Sequence, residues 1–166
     1  MQSKKSLDFK TQDNVSNQTI QKNLMAPCGL DCSRCLNCTG GSVAIHARAI
    51  AKTMGDNFQT YADRLKDFNP AMNEYPAFRS LLDSLASPKC DGCRSDNRTC
   101  LPSCKVAECV QKQHIEFCFE CDKFPDCEKT GLTGALLERW EKNNKLMKSI
   151  GIDKYITMSA EKPRYP

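Results

Sequence analysis

The chain lacks the features that usually announce a function. No apolar run approaches the roughly 18 residues of a membrane span, and residues 1–24 contain no run of more than two apolar residues. That beginning gives no export signal, so the expected location is the cytoplasm, a reducing compartment that disfavours structural disulfides. Aromatic residues make up only 7% of the chain, with a single Trp, and apolar residues 40%. A domain held by core burial alone would carry more, so something else must contribute to stability. No stretch alternates apolar and polar residues over a useful length, which argues against sheet, and no Gly-rich strand-to-helix turn for an S-adenosylmethionine cofactor appears. Only two histidines are present, and no spacing of Ser, His and Asp suggests a triad.

What the chain does have is cysteine, twelve residues in 166. They fall in two clusters, Cys28, Cys32, Cys35 and Cys38, then Cys90, Cys93, Cys100, Cys104, Cys109, Cys118, Cys121 and Cys127. Repeated gaps of two and three residues bring two sulfurs to one ion through a tight turn, the arrangement a tetrahedral zinc site needs. In Cys90-Asp91-Gly92-Cys93 the glycine supplies a positive φ that aims backbone N–H groups at sulfur. The eight later cysteines match two four-sulfur sites, and all twelve are candidate Zn2+ ligands. Iron is the alternative. Cys28-x3-Cys32-x2-Cys35 has the spacing with which radical S-adenosylmethionine enzymes hold a 4Fe–4S cluster, although the helices that follow are unlike their barrel. His114, five residues after Cys109, is a minor candidate ligand, and His46 reads as a surface residue. Cys38 and Cys100 are the candidates for a spare, reactive thiol, and no catalytic residue is assigned.

Charge argues against nucleic acid. The formal net charge is +4, but twelve thiolates holding three Zn2+ ions would lower it to about −2. The surplus of basic residues sits at the two ends of the chain, without a dense patch for a phosphate backbone.

The rest reads as a mainly α fold, a small helical domain with cysteine-rich, metal-stapled irregular loops. Residues 1–23 are expected to be a disordered polar arm, and residues 24–166 one metal-binding domain. Val43, Ala47, Ile50 and Met54 form one apolar stripe, and Phe58, Tyr61, Leu65 and Phe68 a second. Gly55-Asp56-Asn57 turns the chain between them. A third helix carries Pro76 in its first turn and Phe78, Leu81, Leu82 and Leu85 inward. A short helix is expected over Val106–His114. A last one spans about Thr133–Ile150, with Leu136, Leu137, Trp140, Met147 and Ile150 inward and Gly151 as its cap. Asp31 is expected to order its loop rather than act as a base.

These blocks together resemble a bacterial and archaeal family of cysteine-rich proteins catalogued as domain of unknown function 3795. The similarity lies in Ala26-Pro27-Cys28-Gly29-Leu30-Asp31-Cys32-Ser33-Arg34-Cys35, in Asn57–Ala62 and in Tyr75-Pro76-Ala77-Phe78. It continues in Cys90–Arg94, Cys104–Cys109 and Phe117–Pro125, then in Glu138-Arg139-Trp140 and Lys162-Pro163-Arg164-Tyr165. Leu36-Asn37-Cys38 stands where the family has proline and a hydrophobic residue, and Asp126 separates Pro125 from Cys127. The resemblance implies metal binding, expected to be zinc, and brings no activity, substrate or partner. The leading expectation is therefore a structural-zinc module that binds another protein. The alternatives are an iron–sulfur redox or oxygen-sensing protein, and an enzyme with an open metal position or a reactive thiol.

Overall fold

A computed structural model describes residues 22–165. The expected polar arm lies almost wholly outside the described residues. The fold is mainly helical, and among the described residues only two isolated β-bridges occur, Met25 with Asp31 and Cys38 with Cys90.

The first lobe is built from α1 (Ser42–Met54), α2 (Phe58–Leu65) and α3 (Tyr75–Ala86), with a 3-10 turn at Pro70–Glu74 before α3. Gly55 ends α1 with a positive φ, so the chain turns where Gly55-Asp56-Asn57 predicts. Asn69 caps the 3-10 turn through its side chain, and Pro76 sits in the first turn of α3. α1 packs along α3, and Arg48 clamps the pair by donating to the carbonyls of Ala86 (3.1 Å) and Thr39 (2.8 Å).

The inward faces of this lobe differ from the expected stripes. Ala44 and Ala47 are the buried residues of α1, Ala62 that of α2, and Tyr75 and Leu82 those of α3. Ile50, Tyr61, Leu65, Phe68, Phe78 and Leu81 are exposed, Phe68 at 87%. Small residues let the helices approach closely, so the contact is narrow and the large side chains at its edges stay in solvent.

The second lobe holds α4 (Val106–Gln113), α5 (Ala135–Ile150) and α6 (Ile152–Ala160), with a 3-10 turn at Cys118–Glu120. Trp140 and Met147 face inward on α5 as expected, but Leu136 is exposed and the third buried residue is Asn144. Gly151 ends α5 and also starts α6. α6 has no counterpart among the expected helices, the last of which ended at Ile150 with Gly151 as its cap.

The core sits where α5 and α6 meet the first cysteine loop. Met25, Phe117, Met147 and Tyr155 are buried together, with Leu146, Ile150, Ile152 and Ile156 packed around them. Each such side chain contributes roughly 1.5–3 kcal/mol when fully buried. Arg94 joins this core to the second cysteine cluster. Its Nε donates to Met25 O (3.0 Å), its Nη2 donates to Glu116 O (3.0 Å), and its guanidinium lies 4.7 Å from the Phe117 ring centre.

Candidate metal centre

The Cys32–Cys35 and Cys118–Cys121 turns are locally alike. In each, a cysteine opens a one-turn 3-10 helix and the next cysteine closes it with a backbone bond, Cys35 N to Cys32 O (3.0 Å) and Cys121 N to Cys118 O (3.1 Å). The first is capped as expected, because Asp31 Oδ1 accepts from Ser33 N at 2.9 Å. Asp31 also pairs with Arg34 (Nε to Oδ2, 2.7 Å). Arg34 in turn donates to the carbonyls of Ser159 (2.5 Å) and Lys162 (2.6 Å), so the loop is tied to the end of α6.

The Cys38–Cys90 bridge joins the two clusters: Cys90 N donates to Asn37 O (3.1 Å) and Thr39 N donates to Cys90 O (2.8 Å). Gly92 has the expected positive φ of 97°. Asp91 accepts from Thr39 Oγ1 and Asn97 Nδ2, and these bonds hold its carboxyl below the usual range.

The consequence is one shared cavity. Cys28, Cys32, Cys35 and Cys38 of the first cluster and Cys90, Cys93, Cys100 and Cys104 of the second line a space of about 110 Å³, with Arg139, Trp140 and Arg164 in its wall. The grouping differs from the sequence expectation, in which the eight later cysteines formed their own two sites. The bridge brings half of them to the first cluster instead. The remaining four, Cys109, Cys118, Cys121 and Cys127, are neighbours across α4 and the following loops, where burial first and then the charges of the other three push Cys118 up.

The thiols are electrostatically unequal. Cys93 lies beside both Cys100 and Cys32, and sharing its one proton with them raises its own pKa, lowers Cys100 to about 6 and lowers Cys32 to about 7. Arg164 lowers both further. Burial pushes Cys28 up to about 12 and Cys118 to about 11, and it raises Cys38 as well. Of the two candidate reactive thiols, Cys38 is buried and Cys100 is exposed. Both histidines are exposed, and His114 terminates α4 in a left-handed conformation.

Five supporting residues were given no structural role in the sequence analysis. Asn144, fully buried on α5, accepts from Phe119 N (3.1 Å) between the second pair of cysteines. Its amide also donates to Pro27 O (3.4 Å), next to the first cysteine. Asn143 Nδ2 (3.1 Å) and the Tyr155 hydroxyl (2.7 Å) both donate to Gly29 O. Arg164 Nε donates to Asp31 O (3.0 Å), while the Tyr165 hydroxyl accepts from Leu36 N (3.0 Å) and lies 3.8 Å from Cys35 Sγ. The signal for Asn144 was present, since it lies four residues after Trp140 and three before Met147 on the buried stripe.

The donor chemistry suits a thiophilic metal. All twelve cysteines are free thiols, and eight share a cavity. Near Cys118 the indole N–H of Trp140 is buried without a hydrogen-bond partner of good geometry, yet it favours the anionic form of that sulfur. As the side chains stand, no three His, Cys, Asp or Glu residues among those described are placed to hold one ion.

Fold and site thus define a helical domain whose loops collect thiols around a common cavity. The chain belongs to the family described as Protein of unknown function (DUF3795), whose model matches residues 24–132. α5, α6 and the closing tail, which carry the supports from Asn143 to Tyr165, lie beyond the matched residues. No curated protein and no solved structure matches the chain.

Proposed function

We propose that the protein is a zinc-binding module in which the metal pins the cysteine loops to the helices and an exposed face binds another protein. The observation that carries this reading is the gathering of eight cysteines from two distant clusters around one small cavity. Zinc would take thiolates from Cys28, Cys32, Cys35, Cys38, Cys90, Cys93, Cys100 and Cys104, and from the Cys109, Cys118, Cys121 and Cys127 group. It would neutralise their charge and crosslink their loops. Closing on an ion takes side-chain rotation within the cavity, and Arg139 and Arg164 in its wall offset the remaining negative charge. Twelve free thiols suit a reducing compartment, which supports a cytoplasmic location. No helix among the described residues is long and apolar enough to cross a membrane.

The proposed interaction face is the outer side of the first lobe. Tyr61, Phe58, Tyr75 and Phe78 form a run of aromatic rings with centre separations of 6.4, 5.0 and 6.3 Å, and both ends are exposed. Leu65, Phe68 and Leu81 of the same lobe are also exposed. Exposed apolar side chains in such number favour a protein partner.

The test is metal removal followed by circular dichroism and limited proteolysis. A structural zinc site contributes on the order of 10 kcal/mol to folding. The chelated protein should therefore lose protease resistance in the cysteine loops and regain it with zinc. Full resistance after complete zinc removal would contradict the proposal. The eight sulfurs around one cavity also suit an iron–sulfur cluster, and metal analysis separates the two readings.

A further inference from the structure

We propose that an open groove beside the cysteine cavity, between α5, α6 and the first cysteine loop, binds a small phosphorylated molecule. The groove encloses about 490 Å³, within the range of small-ligand sites. Five basic side chains line it, Arg34, Arg139, Lys142, Lys162 and Arg164, against two acidic ones, Asp31 and Glu138. Asp31 is engaged by Arg34, whose guanidinium is spent on that carboxylate and on backbone carbonyls. Arg139 and Arg164 also face the cysteine cavity, so their charge is shared with the thiols.

Lys142 and Lys162 are different. Neither lines the cysteine cavity, and among the described residues neither has a carboxylate at ion-pairing distance. By contrast Lys145, one turn away from the groove, is paired with Glu141 (2.5 Å). Cations left without carboxylate partners around an open groove draw an oxyanion of charge near −2, and Arg forks and Lys ammonium groups both suit phosphate. The lining also includes apolar side chains, Leu30, Leu146 and Met158. A ligand with a phosphoryl head and an apolar body matches both kinds of lining, whereas an extended nucleic-acid backbone does not fit a pocket of this size.

The experiment is isothermal titration of the full chain with phenyl phosphate and, separately, inorganic phosphate at constant ionic strength. Three proteins are compared: wild type, Lys142→Ala/Lys162→Ala, and the control Lys145→Ala/Lys148→Ala. The expected result is saturable one-to-one binding of phenyl phosphate, weakened at least about tenfold in the groove variant and unchanged in the control. Both variants should keep the wild-type circular dichroism, since all four lysines are exposed. Equal binding of inorganic phosphate would support the site and make the free anion its ligand. No saturable binding of either, or equal weakening in both variants, would overturn the proposal.

Discussion

Asn144 Oδ1 accepts the backbone N–H of Phe119 from inside the buried face of α5, at 3.1 Å. The same side chain donates to Trp140 O (3.0 Å) and Pro27 O (3.4 Å), so one amide contacts the loops that carry the Cys32–Cys35 and Cys118–Cys121 turns. Removing it leaves a buried N–H without its partner, which costs roughly 1–3 kcal/mol. Asn144→Ala should lower stability by about 2–3 kcal/mol in urea unfolding. A loss below about 0.5 kcal/mol would show that the loops hold themselves.

Tyr155→Phe is a milder lesion. Its hydroxyl donates to Gly29 O at 2.7 Å, but Asn143 donates to the same carbonyl and would remain. The expected loss is about 1 kcal/mol in the same assay. Combining Tyr155→Phe with Asn143→Ala should cost more than the sum of the two, because only the double variant strips that carbonyl of both donors.

Backbone constraint gives a third prediction. Gly131 has φ +65°, and a Cβ there would stand 1.8 Å from Ser103 O, a backbone atom that cannot swing away. Gly134 has φ +53° with nothing near its missing Cβ. Gly131→Ala should therefore cost more than about 3 kcal/mol, and Gly134→Ala only the conformational strain of about 1–3 kcal/mol. Urea unfolding of the two variants should rank them in that order.

For metal-free chains whose cysteine loops are still folded, the thiols predict a pH profile. Cys32 and Cys100 lie below the ordinary thiol value of 9.0, at about 7 and about 6. Their contribution to stability is present above pH 9 and is lost as pH falls through 7 and then 6. Cys28 and Cys118 lie above 9.0, at about 12 and about 11, so their contribution is present below pH 9 and lost as pH rises through those values. Mass-mapped alkylation at pH 7 should label Cys100 first, since it is both ionised and exposed. Cys28 and Cys118 should react last. Early labelling of Cys28 would contradict this ordering.

Helices were legible where period and punctuation agreed. Gly55-Asp56-Asn57 and Gly151 mark breaks that the structure keeps. Which large residues are buried was not legible in the first lobe. Periodicity identifies an apolar face but does not reveal that Ala44, Ala47 and Ala62 make the close contacts while Phe68 faces solvent. α6 was not legible although Ile152, Tyr155 and Ile156 repeat at three and four residues, because the helix begins directly at the glycine that ends α5. The grouping of cysteines also lay beyond reach. Spacing predicts which sulfurs share a turn, but the Cys38–Cys90 bridge, made by backbone atoms, decides which turns share a cavity.

Zinc binding by these thiols is tested most directly by purifying the chain without oxygen and measuring zinc, iron and acid-labile sulfide. The expected result is a colourless protein with about two to three zinc ions per chain, since four thiolates complete one tetrahedral site. Iron with matching sulfide and broad visible absorption would contradict it in favour of a cluster, and a chain that binds neither metal would contradict metal binding altogether.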